Sequence, residues 1–415
     1  MNRFLYGVLY VLTRVILAPL LGVRLYRDEQ VKALQGPMVV LSNHSNWLDP
    51  LFVGLAVSHR PLRFVAGDFM FTKGLIGRFV RALGVISKTQ FRPDPASIRN
   101  IMAAIKSGEA VAFFPEGQRS LNGALWPLQP GLGKLLKKLK APVVAVTIQG
   151  AYLTWPRWSM SWLRPGRIRV SSALLLKPEE LSRLSPEEIE KKVREQINAD
   201  DYRWQKSQPR PKRFFSFAPA KGLDNVCHRC PSCGRPVAMR SLRAALVCEH
   251  CGYRADLSLS GNFKNGRFAD PQKWTAWQTG CLSFDRLPLP FRLRCRAKSG
   301  RAGEKEQSAG EGVITFSGAE LVWEPEAEGS SKVRTERFAV PEQGLKASYG
   351  RYFNLFQPAA SREGADRLWT FYPEDGRSVM YLKDLIDRFR SSFAAEAARD
   401  LKAPALSLRP VHKRI

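Results

Sequence analysis

The chain has 415 residues, 44% hydrophobic and 25% charged, with a formal net charge of +28 at pH 7. That length admits two or three domains with real cores, and the hydrophobic content excludes wholesale disorder. So large a positive excess points to anionic partners (phospholipid headgroups, acidic carrier proteins, phosphorylated substrates or nucleic acid), and charge alone does not choose among them.

Residues 1–23 open the chain. Phe4 to Val23 is mostly apolar, about the 20 residues a spanning helix needs. Arg14 sits mid-run, where insertion of a charge costs roughly 2.5–3.5 kcal/mol, and Pro19 follows. At about 100° per residue, Arg3, Gly7, Tyr10 and Arg14 share one face, and Phe4, Leu5, Val8, Leu12, Val15 and Ile16 the other. This predicts an amphipathic helix laid in a membrane interface, rather than a span or a helix packed only on the protein's own core. No small-residue cleavage site follows it, and the cysteine pattern argues against export.

Residues 24–205 interleave short apolar runs with helical patterns. Met38–Ser42, Leu62–Ala66, Val111–Phe114 and Val143–Ile148 read as buried strands. Ser97 is placed to cap a helix carrying Ile98, Ile101, Met102 and Ile105, with Gly108 ending it. Leu132, Leu135, Leu136 and Leu139 form another stripe, and Ser185-Pro186-Glu187-Glu188 starts a charged helix. Strands alternating with helices predict a layered α/β domain.

Two blocks in this domain carry chemistry. His44-Ser45-Asn46-Trp47-Leu48-Asp49 follows the first strand, and Phe113-Phe114-Pro115-Glu116-Gly117-Gln118-Arg119-Ser120 follows a later one. Moving an acyl group from a thioester to an alcohol needs a base for the hydroxyl, stabilisation of the developing oxyanion and a grip on the acceptor. His44 is the natural base, and Asp49 can reach back to fix its tautomer. Arg119 can hold a phosphate with two parallel hydrogen bonds. Glu116 and Gly117 fall where a strand turns out into a loop, and a glycine there lets amides approach an anion.

The pair H-x-x-x-x-D and F-P-E-G-x-R-S, in this order and spacing, resembles the lysophosphatidic acid acyltransferase family of glycerolipid acyltransferases over roughly residues 25–205. The resemblance implies His44 as base, Asp49 as its partner, and Glu116, Gly117 and Arg119 in acceptor binding. It also implies acyl-CoA or acyl carrier protein as donor, no catalytic metal, and membrane association. The family's second block usually carries a glycine, an aromatic and an arginine. The matching stretch here runs from Gly84 to Arg92, where Lys88 or Arg92 would supply the charge. Gln118 stands where threonine or serine is usual, and Ala145 where proline is common.

Residues 206–225, with Gln208-Pro209-Arg210-Pro211-Lys212-Arg213, read as a basic linker. In residues 226–260, Cys230-Pro-Ser-Cys233-Gly and Cys248-Glu-His-Cys251-Gly form two C-x-x-C knuckles. Four thiolates at that spacing predict structural zinc in a ribbon-like module and a reducing compartment. Cys227 adds an alternative knuckle with Cys230. Few aromatics interleave with the module's arginines, so no base-stacking platform is evident and nucleic acid is not an expected partner. Residues 261–415 are strand-like and turn-rich, with Val313–Phe316 and Ala319–Trp323 as strands and Arg301–Glu311 as a flexible loop. A terminal amphipathic helix, led by Leu382-Lys383-Asp384-Leu385-Ile386-Asp387-Arg388-Phe389, closes this small β-rich domain.

The expectation is therefore a peripheral or monotopic acyltransferase on the cytoplasmic face of a membrane, acting on a lysophospholipid, most simply 1-acylglycerol 3-phosphate. The alternatives are a different lyso-lipid acceptor, or a non-catalytic adaptor for lipid or nucleic acid.

Overall fold

The computed structural model describes residues 1–400 apart from 58–59, 72–73, 90–93, 284–285, 302–303, 305, 327–333, 341–345, 349–350 and 358–365. Arg92 falls outside them. The N-terminal half is a seven-stranded sheet made of β1 (Val23–Arg27), β2 (Met38–Ser42), β3 (Leu62–Gly67), β4 (Ile86–Lys88), β5 (Ala110–Phe113), β6 (Val143–Gln149) and β7 (Ile168–Leu176), in the order β1-β7-β6-β2-β5-β3-β4. All neighbours are parallel except β6 and β7.

Every residue of central β2 is buried, as a strand covered on both faces requires, and its sequence is a continuous apolar run rather than an alternation. Val39 and Leu41 face a layer that includes helices Pro95–Lys106, Leu132–Leu139 and Pro186–Gln196. Met38 and Val40 face the opposite layer, with helix Asp49–Val57. Helix Pro95–Lys106 differs from expectation at its start. Its cap is Asp94, whose carboxylate accepts from Ser97 N–H at 3.0 Å, so Ser97 is the capped residue and not the cap. Pro95 takes the first helical position, which leaves Asp94 as the cap and Ser97 as the third helical residue, whose N–H the cap accepts.

A helix Arg3–Leu20 lies against this domain. Its middle turn has π-helical hydrogen bonding, and Thr13 and Ala18 are buried. Phe4, Val8, Leu12, Val15 and Ile16 are exposed, but so are Arg3, Gly7 and Arg14 of the other face, whereas Leu5 and Tyr10 are half-buried on the inner side. Packing on the domain, not the charge pattern, sets which side is inner.

The basic stretch after residue 207 departs from helix but is anchored. Gln205 Nε2 donates to the carbonyls of Lys212 and Ser260 at 2.6 and 2.9 Å, and Lys212 N–H returns to Gln205 Oε1 at 2.8 Å. β8 (Met239–Leu242), β9 (Ala245–Cys248) and β10 (Arg254–Asp256) then form a small antiparallel sheet.

The last module is a second seven-stranded sheet, antiparallel throughout, in the order β14-β13-β12-β11-β17-β16-β15. Its strands are β11 (Phe291–Arg301), β12 (Gln307–Phe316), β13 (Glu320–Pro325), β14 (Glu336–Ala339), β15 (Lys346–Ser348), β16 (Tyr352–Gln357) and β17 (Arg367–Pro373). The sheet curls until Phe338 of β14 meets the Trp369 and Phe371 rings of β17 at 5.7 and 5.8 Å. Helix Ser378–Asp400 covers it with Val379, Leu382, Leu385 and Ile386. Of the polar run 301–311, Arg301 ends β11 and residues 307–311 belong to β12, the two strands forming a hairpin, while 302–303 and 305 lie outside the described residues. Along β11 outward polar side chains alternate with buried Leu293, Cys295 and Ala297, and on β12 Ala309 is buried.

Candidate active site

The loop leaving β2 carries His44, and Asp49 begins the helix that follows. One oxygen of Asp49, Oδ2, accepts from His44 Nδ1 at 2.8 Å, from Asn46 N–H at 2.8 Å and from the Ser45 N–H. Asp49 is fully buried, and its other oxygen has no hydrogen-bond partner. The carboxylate sits at a helix N-terminus, where the peptide dipoles favour negative charge. Two asparagines pin this loop to the sheet. Asn43 exchanges hydrogen bonds with the backbone of Ile148, at 2.9 and 2.8 Å, and Asn46 Nδ2 donates to Ala151 O at 2.6 Å. Sequence reading passed over both, since a local turn is the usual use of such residues and the partners lie 105 residues away.

The second block leaves β5 and closes on the first. Glu116 is buried, with Oε1 accepting from His44 N–H and Oε2 from Trp126 N–H, both at 2.6 Å. Ser120 N–H donates to His44 O at 2.7 Å. The backbone of His44 is thus held at both its amide and its carbonyl by residues more than 70 positions away. Burial pushes the Glu116 pKa up to about 8, against the pull of the two N–H groups and with help from Asp49. The resemblance implied acceptor binding for Glu116. Here both oxygens are committed to backbone donors, so it ties two loops together.

Gly117 turns with φ +69°, a conformation that favours glycine. Its N–H closes a tight turn on Phe114 O at 3.0 Å. The His44 ring stacks on Phe114, with centroids 4.0 Å apart. Arg119 lies over the Trp47 ring at 4.2 Å, and Arg157 Nη1 donates to Arg119 O at 3.3 Å. The His44 pKa is lowered below its ordinary 6.5, chiefly by burial. Asp49 opposes this by hydrogen bond and charge, and the cations Arg119 and Arg157 reinforce it. Arg157 had no signal in motif spacing: it comes from the irregular segment after β6.

Lys88 ends β4, the edge strand, and is exposed. Because β2, β5, β3 and β4 run parallel, it stands at the same sheet edge as His44. Three strand positions separate them, roughly 14 Å at normal strand spacing. His44, Asp49, Glu116 and Arg119 converge, while Lys88 belongs to the far rim. The cluster offers a neutral imidazole with Nδ1 engaged, leaving Nε2 as the basic nitrogen, and a guanidinium beside it.

The cysteines form a separate centre. The sulfurs of Cys230, Cys233, Cys248 and Cys251 lie within 4.8 Å of one another. Cys230 and Cys251 are 3.6 Å apart, Cys233 and Cys248 3.8 Å. A tetrahedral zinc with ordinary Zn–S bonds requires sulfur separations of about 3.8 Å. Gly234 and Gly252 make matching left-handed turns, φ +73° and +74°, and each returns an N–H to the first cysteine of its knuckle at 3.0 Å. Cys227 stands apart in the core, its thiol directed at Pro271 O.

Residues 22–149 match the family model described as Acyltransferase. The chain is 30% identical over 137 residues to the 1-acyl-sn-glycerol-3-phosphate acyltransferase of Bacillus subtilis (strain 168), covering 33% of this chain and 67% of that one. It is 32% identical over 146 residues to the chloroplastic 1-acyl-sn-glycerol-3-phosphate acyltransferase BAT2 of Brassica napus, covering 34% of this chain and 41% of the relative. The solved 1-acyl-sn-glycerophosphate (LPA) acyltransferase PlsC from Thermotoga maritima aligns at 21% identity and TM-score 0.40 over 47% of this chain and 78% of its own, too loosely to bear on the chemistry.

Proposed function

The chain belongs to the acyltransferase family that includes the 1-acyl-sn-glycerol-3-phosphate acyltransferases, and on that premise we propose that it transfers a fatty acyl group from a thioester to the free hydroxyl of a lysophospholipid, 1-acylglycerol 3-phosphate being the simplest acceptor. The observation that carries this reading is the His44–Asp49 pair, gripped by the second block, with Arg119 beside it. In the reaction, Asp49 keeps the proton on Nδ1, and Nε2 withdraws the proton of the attacking hydroxyl. The new ester C–O bond forms as the thioester C–S bond breaks, and the imidazolium returns its proton to the departing thiolate. Arg119 holds the acceptor's phosphate, and Arg157 adds a second guanidinium at the same opening. Glu116 positions the His44 backbone, and Lys88 meets the outer part of a long substrate. Acyl-CoA and acyl carrier protein both suit so basic a chain as donors.

Helix Arg3–Leu20 lies on an anionic membrane surface in this reading. What supports an interfacial pose over a span is that Thr13 and Ala18 are buried against the domain and Asn2 N–H is bonded to Ala82 O at 2.8 Å, so crossing would strip the helix from its own protein. The cysteine tetrad holds structural zinc, which ties the two knuckles together.

The test is incubation of purified protein with labelled acyl-CoA and a panel of lysolipids, the products being identified by mass spectrometry. Wild type should acylate a phosphate-bearing lysolipid, and His44→Ala should lose transfer while melting normally. A folded His44→Ala protein with full activity would end the proposal.

A further inference from the structure

Large apolar side chains that no core uses are concentrated on one part of the described surface. Helix Arg3–Leu20 leaves Phe4 82%, Val15 66% and Leu20 59% exposed. Two other segments that expose apolar side chains adjoin this helix at its ends. At the helix start, the bond from Asn2 N–H to Ala82 O joins it to helix Gly74–Ala82, which presents Leu75, 80% exposed, and Phe79. At the helix end, Gly22 O accepts from Ile168 N–H at 3.3 Å, and a Cβ on Gly22 would come within 2.3 Å of Gly166 O. Gly166 is in turn pressed against Phe214, whose ring would lie 2.4 Å from any Cβ placed there. Phe215 N–H donates to Pro165 O at 2.8 Å. The two turns joined in this way carry Trp162, 91% exposed, Phe217 at 80%, Phe215 at 56% and Met160 at 48%. Phe215 and Phe217 pack edge to face at 5.4 Å, making one knob.

Single exposed apolar residues are ordinary, but an adjoining group of this size marks a contact surface. Charge identifies the occupant. The stretches 1–27, 74–88, 156–170 and 207–223 all contain lysine or arginine and none contains aspartate or glutamate. Tryptophan and phenylalanine at the tip of an acid-free basic surround suit the interfacial zone of an anionic bilayer, where rings sit at headgroup depth and cations meet lipid phosphates.

We propose that the turns at 160–162 and 214–217 form a second membrane-inserting wedge, continuous with helix Arg3–Leu20, so that one leaflet of anionic lipid is met by a band running from helix Gly74–Ala82 to Phe217. The proposal rests on the membrane reading given above and adds to it a region outside the matched residues 22–149. It also has a consequence for the site. The segment after β6 that brings Arg157 to Arg119 carries Trp162 a few residues later, so insertion of the wedge and placement of that guanidinium are mechanically joined.

The test is flotation of the full chain with phosphatidylcholine vesicles, with and without phosphatidylglycerol. Three proteins are compared: wild type, the wedge variant Trp162→Ser/Phe215→Ser/Phe217→Ser, and the helix variant Val8→Asn/Val15→Asn. The wedge variant should lose about tenfold or more in affinity for the anionic vesicles with its melting temperature unchanged. Wedge-variant binding equal to wild type, with the helix variant detached, would overturn the wedge and leave the membrane reading standing. A wild type that ignores anionic vesicles would overturn both. A lipid-independent dimer abolished by the wedge substitutions would assign the patch to a second copy instead. Should the triple variant fold poorly, Trp162→Phe alone decides: it should remove part of the fluorescence quenching by brominated lipid, and unchanged quenching would refute insertion.

Discussion

Replacing Asp49 by Asn removes one charge and keeps the shape. In the native protein a single oxygen, Oδ2, receives three donors, while Oδ1 is buried without a partner. An asparagine can satisfy all three donors only by turning its carbonyl to the Oδ2 position, which strands its NH₂ where Oδ1 was. Oδ1 already lacks a partner in the native protein, so that exchange adds little, and the loss comes from turning charge-assisted hydrogen bonds into neutral ones, about 1–2 kcal/mol in denaturant unfolding, with the variant still folded. The effect on rate is larger. The carbonyl still holds the Nδ1 proton, but the imidazolium formed during transfer loses its counter-charge. We expect kcat to fall by about 10²–10⁴, the range for compromised base catalysis, or about 2.7–5.4 kcal/mol of transition-state stabilisation. The pH profile gives an independent sign. Asp49 raises the His44 pKa against burial, so its removal must shift the acidic limb of kcat/KM further below 6.5, the ordinary value. Acyl transfer to a lysolipid, followed from pH 5 upward at about half-unit steps, reads both quantities. An unchanged kcat, or an acidic limb that moves to higher pH, would refute the assignment of Asp49 as the partner of the base.

Arg157→Met should do the reverse to the profile, moving the acidic limb upward because this cation depresses the His44 pKa, while raising KM for the phosphate-bearing acceptor about tenfold; steady-state kinetics at varied pH measures both. Glu116→Gln puts an amide NH₂ against either the His44 or the Trp126 N–H, and should cost about 1–3 kcal/mol in denaturant unfolding and lower kcat with little change in KM, the mark of a positioning residue. Cys230→Ser and Cys248→Ser should each release the metal, read as lost zinc by elemental analysis together with a lower melting temperature; full zinc content in both would refute the four-thiolate assignment.

The geometry of the candidate site was legible where it depends on residues near in sequence. His44 and Asp49 are five apart, and both lie in one strand-to-helix turn. β2, β5 and β6 were legible because an apolar run buried on both faces leaves no alternation to misread, whereas β1, β4 and β7 were not read. Long-range roles were not. Glu116 reads as an acceptor contact where a strand turns out into a loop, and only the fold reveals that its two oxygens answer two separate backbones. Polar composition alone suggested a flexible loop at 301–311, but residues 307–311 are strand, because a hairpin with one wet face hides its apolar half in small residues such as Ala309. The cysteine knuckles lie at the other extreme: ligand spacing is itself the signal, and it singled out the four sulfurs that converge.

What the C-terminal half adds to a family domain confined to residues 22–149 can be traced bond by bond. Tyr152, Leu153, Trp158 and Tyr202 belong to the same continuous core as Met239 and Leu246 of the cysteine module and Trp323 and Phe371 of the curled sheet. Burying side chains of that size is worth about 1.5–3 kcal/mol each, so the short helix Ala151–Thr154 owes its position to residues far downstream. Asp201 fixes its start, accepting from the Gly150 and Tyr152 N–H groups at 2.8 Å. That helix offers the Ala151 carbonyl to Asn46, Asn46 gives its N–H to Asp49, and Asp49 orients His44. A second line arrives from the other side, where Lys383 of the terminal helix stands 5.9 Å from the Trp126 ring and the Trp126 N–H meets Glu116. The downstream modules therefore pack against both of the loops that hold the imidazole, through Ala151 on one side and Trp126 on the other.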